Sequence, residues 1–263
     1  MGVLNVTPDS FSDGGRYFDH DVALARGFEI LAQGADIVDV GGESSRPGAT
    51  PVDEKEEQRR VVPVIAELSR ALRGSSQRIS VDTVKASVAE AAIGAGATMI
   101  NDISATLAST AASSGAAWVA MHMQGVPGNM QEDPTYKDVV REVGSFLQRK
   151  AGDALEMGVS EVWVDPGIGF GKLVEHNLAL LRHLDELVAW GLPVLVGTSR
   201  KSFIGRVAST RGLDALPVSD RLEGSLATAV WAMTQGAAMV RVHDVAETVQ
   251  AASLVKPLVG SPW

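Results

Sequence analysis

Eight short apolar runs recur along this chain, and each one ends at a polar or charged residue. The runs are, in chain order, GVLNV, DIVDV, RISV, TMIN, WVAMH, VWVD, PVLVG and AMVRVH. They lead to Asn5, the turn at residues 43–46, Asp82, Asn101, His122, Asp165, Ser199 with Lys201, and Arg241 with His243. In a (β/α)8 barrel the active site gathers at the carboxyl ends of the strands. The pattern predicts such a barrel, with its functional residues at these ends.

Helical segments separate the runs, and a glycine follows each main segment, as helix ends favour. They cover residues 21–33, 53–73, 85–93, 136–157, 176–190 and 221–235, followed by Gly34, Gly74, Gly94, Gly158, Gly191 and Gly236; a shorter one is expected within 105–115. This alternation predicts parallel strands joined by crossover helices. A doubly wound sheet alternates in the same way, but eight strands and the absence of a GxGxxG turn favour the closed barrel. The 263 residues match the roughly 250 of one barrel, so we predict a single domain over residues 1–263.

The net charge of −9 argues against nucleic acid or an acidic membrane as a partner, because both bind basic surfaces. The predicted strand ends nevertheless carry Arg46, Arg200, Lys201, Arg241 and His243, a set that suits an anionic ligand. The sequence has no cysteine, no signal-peptide pattern at its start and no apolar run of the roughly 18 residues that span a membrane. We therefore expect a soluble, cytoplasmic protein.

Two segments depart from the pattern of short connections. Residues 7–16 and 43–51 follow the first and second strands and are rich in Gly, Pro, Ser and Asp. Long loops on this face of a barrel usually cover or bind the substrate. We expect both loops to be mobile, and a third insertion, at residues 123–134, to lie at the same mouth.

Most of these strand ends lie within longer motifs, namely MGVLNVTPDSFSDGG, VDVGGESSRPGA, ISVDT, MINDIS, MHMQGVPGNMQ, VDPGIGFGK, LVGTSRKSFIG and RVHDV. In this order they resemble the motifs of the dihydropteroate synthase family over nearly the whole chain. The resemblance implies a pterin-binding (β/α)8 barrel that condenses 6-hydroxymethyl-7,8-dihydropterin pyrophosphate with p-aminobenzoate, giving 7,8-dihydropteroate and pyrophosphate. It also implies Mg²⁺ as cofactor, a homodimer, and inhibition by sulfonamides.

The residue types fit the edge of a pterin, which presents an amino group, a ring N–H, a carbonyl oxygen and ring nitrogens. Asp165 accepts only, Asn101 both donates and accepts, and Lys201 donates. Asp82 completes this set. By resemblance, Arg241 stacks its planar guanidinium on the pterin, as its delocalised fork allows, and Phe170 forms a wall of the pocket. Taken singly, each polar residue could instead cap a strand, and Arg241 could hold a core carboxylate.

The remaining candidates concern the two other ligands. For the pyrophosphate they are Arg46, Arg241 and His243, with Ser45 in place of the threonine that most of the family has in GESTRPG. By resemblance Asn5 contacts the diphosphate and its Mg²⁺, a cation that prefers oxygen ligands. By resemblance p-aminobenzoate contacts Phe11, Pro47, Lys201 and Ser202, where the start of a helix would favour its carboxylate.

The predicted catalytic residues, Asp82, Asp165, Lys201 and Arg241, would stabilise charge and not form a covalent intermediate. Positive charge develops on the pterin methylene and negative charge on the leaving diphosphate, so electrostatic stabilisation suffices. Ser199 and Ser202 are therefore not expected to act as nucleophiles. Two alternatives stay open: a methyltetrahydrofolate:corrinoid methyltransferase, and a pterin-binding paralogue without synthase activity.

Overall fold

The eight apolar runs form eight short parallel strands. The computed structural model describes residues 1–7, 20–45, 49–209 and 215–259. Its strands are β1 (Gly2–Asn5), β2 (Ile37–Gly41), β3 (Arg78–Asp82), β4 (Met99–Asp102), β5 (Ala117–Met121), β6 (Val162–Asp165), β7 (Leu195–Val196) and β8 (Met239–Val240). Every one of them overlaps the run predicted for it.

The strands close into a ring. Strands β1 to β6 pair in sequence order and β7 pairs with β8, all in parallel. A bridge between Val164 and Val194 joins β6 to the segment that enters β7, and a bridge between Gly2 and Val242 joins β1 to the segment that leaves β8. The amide of Val3 also donates to the carbonyl oxygen of Val242 at 2.9 Å. Each strand thus has two neighbours, which confirms the predicted (β/α)8 barrel.

Helices surround the ring in the order expected for crossover connections. They are α1 (His20–Ala32), α2 (Glu54–Ala71), α3 (Ala86–Gly94), α4 (Ala108–Ser114), α5 (Val139–Glu156), α6 (Val174–Arg182), α7 (Leu184–Val188), α8 (Ser202–Ala208), α9 (Leu222–Thr234) and α10 (Val245–Val259). Acidic side chains cap two of them. Asp53 accepts from the first amides of α2, and Asp138 accepts from the amide of Arg141 in α5.

Three of the predicted helices differ from the observed ones. The segment predicted over 136–157 is helical only from Val139. The third helix includes Gly94, which was expected to follow it, and Gly96, with φ of 114°, is the residue that takes the left-handed conformation. Glycine adopts that conformation without steric cost, which explains why the helix ends one step later than expected. The single helix predicted over 176–190 is two helices, because His183 leaves helical geometry (φ −107°, ψ 30°).

The loop expected after β1 lies almost wholly outside the described residues, since these omit residues 8–19 and therefore Phe11. Of the loop expected after β2, only residues 46–48 lie outside them, and these include Arg46 and Pro47. Among the residues that the structure describes, no helix is both long enough and apolar enough to cross a membrane.

Candidate active site

Polar side chains continue the inward-facing rows of the barrel strands. The interior holds an apolar cluster to which five different strands contribute Ile37, Met99, Trp163, Leu195 and Met239. Side chains alternate between the two faces of a strand, so the residue two positions further along points inward as well. In the same five strands or their ends, those residues are Asp39, Asn101, Asp165, Gly197 and Arg241. The apolar cluster is thus the floor of a polar site at the carboxyl end of the barrel.

Arg241 joins two carboxylates on this floor. Its Nε donates to Oδ2 of Asp39 at 2.6 Å, and its second guanidinium nitrogen donates to Oδ2 of Asp82 at 2.7 Å. Asn101 Nδ2 donates to the same Asp39 oxygen at 2.9 Å. The structure therefore brings the predicted residues Asp82, Asn101 and Arg241 together. Arg241 holds carboxylates, the role that the sequence left open as an alternative to stacking on the pterin.

Asp39 is the residue that ties this network together, and the sequence reasoning missed it. Its side chain is fully buried, and its Oδ1 has no hydrogen-bond partner among the residues that the structure describes. A signal was present in the sequence, because an aspartate in the apolar run DIVDV lies two positions after Ile37 and must face the barrel interior. A charge in a fully buried position is costly unless it is paired.

Burial and neighbouring charge shift the proton affinity of Asp82. Burial raises the pKa of Asp82 to about 7, with Arg241 acting in the opposite direction and Asp39 in the same direction. Asp82 lies between Gly41 of β2 and Asn101 of β4 in the strand register. The network thus combines one cationic side chain with two carboxylates that compete for it.

Asp165 and Lys201 lie on the other side of the mouth, at the ends of β6 and β7. Asp165 Oδ1 accepts from the amide of Gly167 at 2.7 Å, and burial raises the pKa of the Asp165 carboxyl, against the effect of Lys201. The Lys201 ammonium donates to the carbonyl oxygen of Ile168 and lies 4.6 Å from the centre of the Phe170 ring. Burial lowers the pKa of Lys201 to about 8.

The turn after β6 can form only with glycine at its first bend. Gly167 has φ of 65°, and a β-carbon there would collide with the carbonyl oxygen of His122. The same turn supplies the amide that binds Asp165 and the carbonyl that binds Lys201. The motif DPGIGFGK therefore places Asp165, Phe170 and Lys201 next to each other.

The candidates for the diphosphate lie around β1, β2, β7 and β8. Asn5 Oδ1 and Asp82 Oδ2 approach Gly41 from two sides, each less than 4 Å from the position that a β-carbon would occupy. Ser199 Oγ lies 3.0 Å from His243 Nδ1 and accepts from the amide of His243 at 3.1 Å. Ser45 is half-buried after β2.

Ser202 is the first residue of α8, so a helix begins where the p-aminobenzoate carboxylate was expected. Phe11 and Pro47, the other two residues predicted for this ligand, lie outside the described residues together with Arg46.

The side chains of this site fit a cation that a bound ligand also coordinates better than a cation that the protein coordinates alone. Within the described residues, no group of three or more histidine, aspartate or glutamate side chains could hold a metal ion. Asn5 nevertheless offers an amide oxygen at the end of β1, with Gly41 of β2 between it and Asp82 of β3, and Mg²⁺ takes few protein oxygens when a substrate phosphate supplies the others. The residues present therefore fit Mg²⁺ if a substrate phosphate supplies the remaining oxygen ligands.

Comparison with known proteins identifies the class of this site. Residues 1–243 match the family model described as pterin binding enzyme. The dihydropteroate synthase of Mycobacterium leprae is 44% identical over 263 residues, covering 97% of this chain and 91% of that protein. The chain therefore belongs to the pterin-binding enzyme family. The dihydropteroate synthase of Escherichia coli K12 is also 44% identical, over 97% of this chain and 90% of its own length.

Two solved structures are similar to this chain in both fold and sequence. The dihydropteroate synthase of Yersinia pestis, determined with a sulfonamide drug complex, has a TM-score of 0.90 at 44% identity and covers 99% of this chain and 94% of that one. The enzyme of Xanthomonas albilineans with 4-aminobenzoic acid has a TM-score of 0.87 at 43% identity, covering 99% and 93%.

Proposed function

We propose that this chain is a dihydropteroate synthase, a transferase that joins 6-hydroxymethyl-7,8-dihydropterin pyrophosphate to p-aminobenzoate in folate biosynthesis. The observation that carries the proposal is the placement of Asp165 and Lys201 around one turn, which binds the first through the amide of Gly167 and the second through the carbonyl of Ile168, next to the Arg241 network. This arrangement offers an acceptor and a donor to the edge of a pterin. The identity to dihydropteroate synthases over nearly the whole chain supports the same reaction.

The pterin lies between the two sides of the mouth. The Asp165 carboxylate accepts from the amino group and the ring N–H, and the Lys201 ammonium donates to the carbonyl side. Asn101 supplies an amide on the opposite side, where its Nδ2 is held by Asp39. The Phe170 ring covers the pocket next to Lys201.

The reaction replaces a C–O bond with a C–N bond. The C–O bond between the methylene and the diphosphate breaks, and its electron pair leaves with pyrophosphate. The amine nitrogen of p-aminobenzoate bonds to the methylene carbon and then loses a proton. Asp165 and Asp82 favour the positive charge that spreads into the pterin ring, whereas Arg241 and His243 favour the negative charge on the leaving diphosphate.

No side chain has to form a covalent intermediate. Ser199 Oγ contacts the imidazole and the backbone amide of His243, and since the reaction needs no nucleophile from the protein, we assign Ser199 and His243 to the diphosphate. Asn5, Ser45 and Arg46 complete the proposed diphosphate site. Asn5 Oδ1 would hold Mg²⁺ together with diphosphate oxygens, and this cation would supply charge neutralisation on the leaving group.

The second substrate is placed by analogy with the relatives. One solved relative was determined with 4-aminobenzoic acid and another with a sulfonamide drug. We assign p-aminobenzoate to Lys201 and Ser202, with Phe11 and Pro47 from the two long loops. Sulfonamides, which imitate this substrate, then compete with it, and raising the p-aminobenzoate concentration relieves their inhibition.

Pyrophosphate release tests the proposal directly. The chain is mixed with both substrates and Mg²⁺, and pyrophosphate and 7,8-dihydropteroate are measured, with p-aminobenzoate omitted as the control. Release that depends on p-aminobenzoate is expected. Pterin binding without release would indicate a non-catalytic paralogue, and methyl transfer from methyltetrahydrofolate to a corrinoid would indicate the other alternative.

We also propose that the chain is a cytoplasmic homodimer. Helices α6, α8 and α9 contact one another and carry Leu178, Val207 and Trp231, which are 37%, 54% and 45% exposed. Large exposed side chains on adjacent helices favour association with a second copy. Light scattering of the wild type should give twice the chain mass, and Trp231→Glu should shift the mass towards one chain. A wild-type mass of one chain contradicts the dimer.

A further inference from the structure

A buried lysine that the reaction does not use lies behind the pterin wall. Lys172, the last residue of the motif GIGFGK, has 3% of its surface exposed. Its Nζ lies 3.0 Å from His122 Nδ1 and donates to the carbonyl oxygens of His122 at 3.2 Å, Gly167 at 3.0 Å and Phe170 at 3.0 Å. Four acceptors around one ammonium form a complete site for its three protons.

These acceptors come from two different elements. His122 follows the end of β5, whereas Gly167 and Phe170 belong to the turn after β6. Lys172 therefore fastens this turn to the neighbouring strand end. The turn is the segment whose amide at Gly167 binds Asp165 and whose carbonyl at Ile168 binds Lys201.

Other groups hold the rest of the same loop. Asn177 Oδ1 accepts from the amide of Gly169 at 2.6 Å, and the Tyr136 hydroxyl donates to the carbonyl oxygen of Gly171 at 2.7 Å. Because these contacts do not involve Lys172, loss of its ammonium should loosen the first part of the loop and leave its end attached to α6.

The lysine also fixes the state of a histidine. An ammonium can approach His122 Nδ1 only when that nitrogen is an acceptor, which requires the neutral ring with its proton on Nε2. Burial, with Lys172 as the second cause, lowers the pKa of His122 to about 3. Burial lowers the pKa of Lys172 itself to about 7, with Asp165 opposing this shift and Lys201 adding to it.

We propose that Lys172 is a positioning residue for the pterin site: by binding His122, Gly167 and Phe170, it sets the turn that holds Lys201 beside Asp165. The inference rests on the proposed function, since it assigns the pterin to that turn. Lys172 does not touch the pterin in this arrangement. Its effect reaches the ligand through the Phe170 ring and through the carbonyl of Ile168.

The test compares Lys172→Met, which keeps an unbranched side chain one atom shorter and removes the ammonium, with Lys137→Met at an exposed lysine before α5. In Lys172→Met we expect KM for the pterin pyrophosphate to rise about tenfold, as for loss of a hydrogen bond to a charged group, and kcat to change less. Lys137→Met should leave both unchanged. An unchanged pterin KM in a folded Lys172→Met variant overturns the proposal.

Nitrogen NMR of the histidine rings provides a readout that does not depend on activity. With ¹⁵N-labelled histidine, wild-type His122 should carry its proton on Nε2 and should not titrate between about pH 5 and 8, where free histidine does. In Lys172→Met the proton of the His122 ring should no longer be confined to Nε2. A wild-type His122 with its proton on Nδ1 overturns the proposal even if the methionine variant fails to fold. If the wild type releases no pyrophosphate, the proposed function fails, and the histidine signals still test the role of Lys172.

Discussion

The two sides of the barrel mouth hold their charged groups in different ways. On the side of β2, β3 and β8, side chains bind side chains: Arg241 donates to Asp39 and to Asp82. On the side of β6 and β7, side chains bind the backbone: Asp165 accepts from an amide, and Lys201 donates to a carbonyl. The first side is a framework whose charges satisfy one another, and the second presents a carboxylate and an ammonium to a ligand.

The difference has an energetic basis. Breaking a buried ion pair by removing one partner costs about 3–5 kcal/mol, because the other charge stays uncompensated. Exchanging one neutral backbone partner for a ligand atom costs far less, because a hydrogen bond is replaced by another. We therefore expect substrate to rearrange the contacts of Lys201 and to leave those of Arg241 in place. The comparison indicates that the Arg241 network keeps its internal bonds while it faces the substrate, whereas Lys201 exchanges its bond for one to the ligand.

The largest effect is expected from Asp165→Asn on the ligand side. Its amide NH2 would oppose a donor of the pterin, and two unpaired groups at about 1–3 kcal/mol each weaken pterin binding about 100-fold or more. Stability should hold or increase, since burial already raises the pKa of the Asp165 carboxyl. Calorimetric titration with the pterin checks the affinity, with Asp36→Asn, at an exposed position before β2, as the control. Unchanged affinity in the folded variant would remove Asp165 from the pterin site.

Lys201 should govern the alkaline side of the pH profile. Burial lowers its pKa to about 8, so the donating ammonium is present below that pH and is lost above it. The value of kcat/KM should therefore fall as pH rises through about 8. Lys201→Gln keeps a neutral donor, so it should remove this decline and lower kcat/KM about 10- to 100-fold at neutral pH, as for loss of a charged hydrogen bond. An alkaline decline that persists in this variant would assign the titration to another group, of which Lys172, with a pKa that burial lowers to about 7, is the first to test.

Asp39→Asn should act through the framework and so affect stability as well as activity. Arg241 and Asn101 both donate to Oδ2 of Asp39. In the variant this oxygen belongs to a neutral amide, so the two donors no longer bind a negative charge. Since Arg241 keeps Asp82, we expect a loss of about 1–3 kcal/mol in the free energy of unfolding and a decrease of about tenfold in kcat/KM. Denaturant titration and steady-state kinetics measure the two effects. A variant with full stability and no pterin binding would place Asp39 on the ligand side instead.

The smallest effect is expected at the opposite end of the barrel. Arg78 pairs with Glu161 at 2.8 Å, and both side chains are partly exposed, so Arg78→Ala should cost no more than about 1 kcal/mol of stability. No change in kcat/KM is expected, because this pair lies at the amino ends of β3 and β6. Altered pterin kinetics would show that the two ends of the barrel are coupled.

Much of the fold could be predicted from the sequence, because its signals are local. The alternation of apolar runs and helices gave the barrel, and the polar residue after each run gave Asp82, Asn101, Asp165, Lys201 and Arg241. The ends of the helices were predicted less accurately. Gly94 and Gly96 both fit the rule that glycine ends a helix, and only backbone geometry distinguishes them.

The residue roles that could not be predicted from the sequence depend on contacts between segments that are distant in the chain. Asp39 is 202 residues from Arg241 in the chain. Lys172 is 50 residues from His122. Each of these residues has an ordinary surface or strand position in the sequence, and its role follows only when the strands are placed side by side. Inward alternation from Ile37 could have found Asp39, but no local pattern indicates the partners of Lys172.

A crystal structure of the chain with 6-hydroxymethyl-7,8-dihydropterin pyrophosphate bound would test the division of the site most directly. The account predicts that the pterin edge lies on Asp165, and that Lys201 turns from the carbonyl of Ile168 to the ligand. The bonds from Arg241 to Asp39 and Asp82 should remain. A pterin bound away from Asp165, or an Arg241 that leaves both carboxylates to reach the ligand, would contradict it.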